Sequence, residues 1–437
     1  YEIRLSLVGS EMCIRDSNWE LRIDGKSCSQ PSKIGVSMHS QVNDNDHIPV
    51  EVVGWCRNIG KGNHNLQVYI SRGHSNSDCH TGWNTHDYME VWEPTPSEQA
   101  TMSYMQRVGT DNSSDQSSNI LSHSFTKKSS SPHTRILYFD NLRVVGHGKW
   151  CRWEAKVDGK SCAAPLAGSI YIKVNDNDHY PATIVGECPN VKPGNHKITI
   201  AVTRNGGADC HTGWTPGPRV MHALIEVQVG RAVGGGAPPK GGGGNGAKLT
   251  VARLTKKNSG YGGDQTNAIP GRTLNFSKKL SNSFVKVTYA ESLRVYGNGK
   301  WCRWTIKVDG KDCKPTVYNS KHTTTTSDND HTPHAIVGAC SGLSKGNHKM
   351  TIALSRNGGA DCYTGWSASG ARDAFFMEAE ELNPAGQITT VMRKVAPDGR
   401  DSGVINGRTL EFSKRIDASH PVSYTHLRAH ETKANLV

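Results

Sequence analysis

The chain has 437 residues, with 51 Lys and Arg against 39 Asp and Glu, a formal charge of +12 and 46 glycines. Aromatic residues make up only 7%, and no apolar run approaches the roughly 18 residues that a membrane-spanning helix needs, so no membrane-spanning helix is expected. The basic balance suits acidic partners; because the cations are dispersed along strands and most belong on a solvated face, acidic polysaccharide fits better than nucleic acid.

In chain order, the first stretch, YEIRLSLVGSEMCIRDS (residues 1–17), and the last, PVSYTHLRAHETKANLV (421–437), resemble translated sequencing-adapter DNA. Both interrupt an internal repeat in mid-pattern, so they are set aside from fold reasoning. Between them the repeat governs everything. GKWCRWEAKVDGKSC (Gly148 to Cys162) returns as GKWCRWTIKVDGKDC (Gly299 to Cys313), and the Thr-Gly-Trp ending at Trp214 returns at Trp366, a period of 366 − 214 = 152 residues. A partial first unit covers 18–93, complete units cover 101–230 and 248–381, and GRTLEFSKR (Gly407 to Arg415) opens a fourth over 386–420. A Gly/Pro-rich linker fills 231–247, with shorter joints at Glu93 to Gln99 and Leu382 to Gly386; alternating joints of this kind predict a rod of sandwiches. The first unit enters at Trp19 and lacks a front; head and tail together still lack the segment matching Val285 to Arg303, so further units in the native chain are expected to complete it.

Within a unit, TLNFSKK, SFVKVTYAESLRVYG, WCRWTIKVDG and HKMTIALSRN alternate apolar and polar residues with β-branched enrichment, and DGK, SKGNH and RNGG are turn chemistry. No segment carries a 3.6-residue apolar stripe. The fold class is all-β: tandem antiparallel β-sandwiches, jelly-roll-like, stapled by disulfides.

Each complete unit has four cysteines without the close spacing of a zinc knuckle, which points to disulfides made in an oxidising compartment. If the strand from Cys151 to Val157 runs up, Cys162 and Cys188 meet at the top and Cys151 and Cys210 at the bottom, which favours Cys162–Cys188 and Cys151–Cys210. The same logic gives Cys313–Cys340, Cys302–Cys362 and Cys28–Cys56, and leaves Cys79 without its partner.

These units resemble the C-terminal globular domain of the collagen triple helix repeat-containing protein family. Leu142 to Val144, Cys151 to Trp153, Cys162, Cys188 and Thr212 to Trp214 carry the resemblance in order. It implies a secreted β-sandwich glycoprotein domain of matrix or cell surface, without known catalysis. That family places one such domain behind a collagen stalk; no Gly-X-Y run stands here, and trimerisation is not carried over.

Two acidic loops repeat in each unit. Asp44 and Asp46, Asp176 and Asp178, and Asp328 and Asp330 are candidate calcium ligands, with Asp78, Asp209 and Asp361 on the second loop; the competing reading is an Asx-rich turn. His211 becomes Tyr363, which argues against a histidine ligand. Trp150, Trp153 and Trp214 are expected to pack around the disulfides rather than to stack on sugars. Asn112 and Asn275 begin glycosylation sequons; Asn275, between Leu274 and Phe276, should face solvent, with His123 and Glu411 at the equivalent position. Nucleophile elbow, phosphate loop and His-Glu-x-x-His are all missing from the sequence, and paired acids two apart in a turn cannot flank a glycosidic bond, so the expectation is not an enzyme. The reading is an extracellular structural subunit that self-associates into a filament, surface appendage or matrix; the alternative is a carbohydrate-binding, calcium-dependent adhesin.

Overall fold

The computed structural model describes residues 2–14, 17–39, 47–72, 78–81, 86–94, 99, 101–108, 119–128, 130, 133–173, 179–213, 222–229, 250–257, 261–262, 268–323, 329–370, 372–382, 389–395, 399–400 and 403–414. The first unit holds β1 (Glu2–Ile14), β2 (Ser17–Ile23), β3 (Lys26–Ser27), β4 (Ile34–Met38), β5 (Ile48–Arg57), β6 (Gly62–Arg72), β7 (Asp78–Thr81) and β8 (His86–Trp92). The second holds β9 (Met102–Val108), β10 (Asn119–Lys127), β11 (Thr134–Val145), β12 (Lys149–Val157), β13 (Lys160–Ile172), β14 (His179–Glu187), β15 (Gly194–Arg204), β16 (Asp209–Thr212) and β17 (His222–Val229). The third holds β18 (Thr250–Lys257), β19 (Tyr261–Gly262), β20 (Ala268–Lys278), β21 (Phe284–Tyr296), β22 (Lys300–Val308), β23 (Lys311–Thr323), β24 (Thr332–Cys340), β25 (Gly346–Arg356), β26 (Asp361–Thr364) and β27 (Ala374–Leu382). The tail adds β28 (Thr389–Val395), β29 (Gly399–Arg400) and β30 (Gly403–Lys414).

Every unit is a two-sheet antiparallel sandwich. In the second, β10-β15-β12-β13 face β14-β11-β17-β9, and the third repeats this as β20-β25-β22-β23 against a sheet built on β21. The two sheets differ in what their outer faces meet. β15 alternates buried and more exposed positions over its second half, from Ile200 to Thr203, as a strand with one wet face should. β14 is buried at all nine residues, because its sheet packs on its own sandwich on one side and on neighbouring units on the other. Trp153 and Trp304 fill the sandwich centres, each indole N–H donating to a threonine hydroxyl (Thr212, Thr364) at 2.9 Å.

The three sandwiches do not form a rod. The equivalent strands β5, β14 and β24 each touch the other two, which places them around a common pseudo-threefold axis. Three inter-unit bridges repeat in cyclic order: His39 with His179, Tyr171 with His331, and His322 with His47. Two glycines allow the second and third units to close up. A Cβ on Gly168 would lie 2.9 Å from Pro333, and one on Gly186 would lie 2.4 Å from Leu166 and 3.3 Å from Thr255. The threefold arrangement set aside for want of a collagen stalk thus arises within one chain.

The first sandwich is completed from both ends. β1 runs in register with β5 from Glu2 opposite Arg57 to Glu11 opposite Ile48, in the place of β11 and β21. Ile3, Arg4 and Leu5 are buried there, as are Thr134 to Ile136 and Val285 to Val287 at the equivalent positions, so head and tail together do supply the segment expected to be missing. β28 pairs with β8, β29 with β7 and β30 with β6, taking the places of β18, β19 and β20. Ile405, Leu410 and Phe412 enter the first core.

Candidate functional site

The inward sheets carry charge where apolar residues would be ordinary. Arg4, Arg135 and Lys286 occupy one equivalent position on β1, β11 and β21, and Glu90, Glu226 and Glu378 another on β8, β17 and β27. Each cation reaches the carboxylate of the next unit: Arg4 Nε lies 3.0 Å from Glu226, Arg135 Nε 3.4 Å from Glu378, and Lys286 pairs with Glu90. All six side chains are at most 11% exposed. Burial alone would lower the Arg4 pKa, but Glu226, Glu90 and Glu51 together raise it above its ordinary range. Burial also raises the Glu51 carboxyl, against the pull of Arg4, Lys286 and Arg135. Other basic side chains are buried too, including Arg152, Arg272, Arg408, Lys127, Lys278 and Lys414. The basic excess is therefore only partly a solvated face: Arg272 forks onto Glu291 at 2.7 and 3.2 Å, and Lys127 donates to the Val191 carbonyl at 2.6 Å.

The seams between units are lined by rings. The His39–His179, His47–His322 and Tyr171–His331 ring centroids lie 5.6, 5.8 and 6.2 Å apart. Burial, then Arg143 for His179 and Arg294 for His331, pushes both imidazoles well below the usual histidine range. Between the second and third units, Arg152 bridges Glu154 and Asp373 at 2.7 Å each, and Ser169 donates to Asp373 at 2.8 Å.

Of the candidate calcium ligands, Asp44, Asp46, Asp176, Asp178 and Asp328 lie outside the described residues. Asp330 is buried at the seam, where it accepts hydrogen bonds from Tyr180 Oη at 3.1 Å and the Lys173 amide at 3.3 Å in the second unit. On the second loop, Asp209 accepts from His211 at 2.9 Å and Asp361 pairs with Arg294, while only the backbone of Asp78 is described. Among the described residues, no three His, Cys, Asp or Glu side chains converge on a metal position.

Disulfides join Cys28 to Cys56, Cys162 to Cys188, Cys313 to Cys340, Cys151 to Cys210 and Cys302 to Cys362. Cys79 stands opposite Cys13 in the β1–β7 ladder. Trp150 is half-buried, and Trp214 and Asn112 lie outside the described residues. Asn275 is exposed between buried Leu274 and Phe276, opposite Lys349. Its equivalent in the second unit is Ser124, which faces Lys197, and not His123. Aligning on the shared Phe-Ser/Thr-Lys rather than on the strand start would have avoided this one-residue slip. His123 points inward, where burial lowers its pKa and its ring accepts from or donates to Ser103 at 2.6 Å.

A third repeated device was not read from the sequence. The turn Asp holds the His of Gly-Asn-His, with His64–Asp24, His196–Asp158 and His348–Asp309 all at 2.7 Å. In each case the same carboxylate also accepts the next amide at 2.8 to 2.9 Å. The Asp residues sit at φ 50–52°, so these pins fix turns that an ordinary residue would strain. The signal was present, since DGK and GNH recur in all three units.

The family model described as CTHRC1, C-terminal domain, matches residues 2–89, 103–221 and 257–371, one segment in each sandwich. No curated protein matches the sequence. Among solved structures, PNGF-II in a C2 crystal aligns over 94% of this chain and 100% of that one, at 8% identity and a TM-score of 0.26. Tripeptidyl peptidase 2 aligns over 92% of this chain and 33% of that one, at 9% identity and a TM-score of 0.15. At such TM-scores the alignments carry no argument about fold or activity.

Proposed function

The chain belongs to the CTHRC1 C-terminal domain family, and on that footing we propose that it is a secreted, non-catalytic structural subunit of an extracellular filament, surface appendage or matrix. Its disulfides suit an oxidising exterior, and exposed Asn275 suits a glycoprotein. One observation carries the assembly reading. Strands β28 to β30 complete the first sandwich although they follow the third in sequence, so this docking is separable from the rest of the fold. The same strands entering the first sandwich of another copy would satisfy identical backbone ladders and cores, as in strand complementation.

Electron microscopy of native material, together with light scattering of the purified chain over a concentration series, tests this. Fibres or sheets and concentration-dependent oligomers are expected, and Phe412→Asp should abolish them by excluding β30 from the core. A strictly monomeric chain, with native material free of fibres, would sink the proposal.

A further inference from the structure

A cleft of about 540 Å³ lies where the second and third units meet. One wall comes from Ala163, Ala164 and Pro189 of the second unit and is apolar. The other comes from Lys256 and Lys257 at the end of β18 and from Arg372, just before β27. β18 pairs with β27 so that Lys257 stands opposite Ala374, two residues from Arg372, which brings the three cations to one place. All three are exposed, and no ion pair among the described residues involves them. Arg372 is held at φ 52°, a conformation that an ordinary L-residue adopts only under local constraint.

The acid of the cleft is already engaged. Glu187 lies 3.3 Å from Arg253 and 3.1 Å from His133, and its amide donates to Thr255 Oγ1 at 2.8 Å. These contacts fix the cleft between two packed units and leave its three cations uncompensated. The pair of lysines is peculiar to this seam: Arg107 and Lys394 match Lys256, but Val108 and Val395 stand at the positions equivalent to Lys257.

We propose that this cleft binds an acidic saccharide, a glycan chain bearing carboxylate or sulfate groups. An apolar wall receives the C–H face of a sugar ring, Arg372 offers a planar fork to one anionic group, and the two lysines act as point charges for others. The volume falls in the range of small-ligand sites, roughly 300–1,000 Å³. Nucleic acid fits less well, because no aromatic ring lines the cleft to stack a base. The proposal is independent of whether copies polymerise.

Calorimetric titration of the full chain with a heparin-derived tetrasaccharide, at low and physiological salt, tests it. Replacing Lys256, Lys257 and Arg372 by Ala should weaken binding at least about tenfold, the loss expected for removing three charged contacts. Replacing exposed Lys160, Lys311 and Lys345 should weaken it less than about twofold. Bound tetrasaccharide should also protect Lys256 and Lys257 of the unaltered chain from acetylation, a readout that does not depend on a variant folding. The proposal is overturned by no binding, by equal losses in the two triple variants, by unprotected lysines, or by equal competition from a single-stranded oligonucleotide.

Discussion

Replacing Glu378 by Gln probes whether the ring of inter-unit charges holds the three sandwiches together. The amide keeps the shape of the side chain but removes the negative charge from a site that is 4% exposed and serves both Arg135 and Arg253. Breaking a buried ion pair costs about 3–5 kcal/mol, because the abandoned charge stays desolvated. Here Arg253 keeps Glu187 at 3.3 Å and Arg135 keeps Glu226 at 3.4 Å, so the lower end, about 3 kcal/mol, is expected. For three sandwiches of 437 residues melting together, at about 1 °C per kcal/mol, the melting temperature should fall by about 3 °C. Differential scanning calorimetry of Glu378→Gln, Arg135→Gln and the double variant forms a cycle, and a coupling of at least about 1 kcal/mol is expected for groups in contact. A single-variant melting point within about 1 °C of the parent, with strictly additive effects, would refute the role assigned to this ring.

Two further outcomes follow from the same structure. His179, His331 and His334 are held neutral by burial, with folded pKa values well below 6.5, so the unfolded chain binds more protons below that pH. Stability should be level above about pH 6.5 and fall as the pH drops below it, by up to about 2 kcal/mol per histidine at pH 5; His331→Phe should flatten a pH series of melting curves, and an unchanged slope would refute the assignment. Removing the Cys151–Cys210 disulfide, which closes a separation of 59 residues, should cost about 4 kcal/mol, read by chemical denaturation of the paired Ala variant.

Much of the unit was legible because its signals are local. Alternation placed β20, β21, β22 and β25, and strand direction alone brought Cys162 beside Cys188. Three things were not legible, each for a long-range reason. Buried charges such as Arg135 and Glu226 are not announced locally, because sequence shows one strand face at a time and not a neighbour covering the outer one. Asp330 read as a calcium ligand because a loop aspartate and a seam aspartate look alike until Tyr180 is seen across the interface. Closure by β30 pairs Lys414 with Gly62, a match no local pattern announces. The slip between His123 and Ser124 is different in kind: one residue along a strand exchanges inside for outside, and the buried Phe125 was the marker to anchor on.

The pseudo-threefold packing has an evolutionary consequence. In an assembly of identical chains every mutation at a subunit boundary is made three times over, so a change tolerable at one boundary must be tolerable at all. Fusing the copies into one polypeptide lifts that restriction. Arg152 with Asp373 can settle one boundary while Trp55 stacks on Tyr104, at 4.9 Å, in another. Duplication followed by separate drift can thus give a symmetric body a front and a back, and so a defined orientation toward whatever it meets.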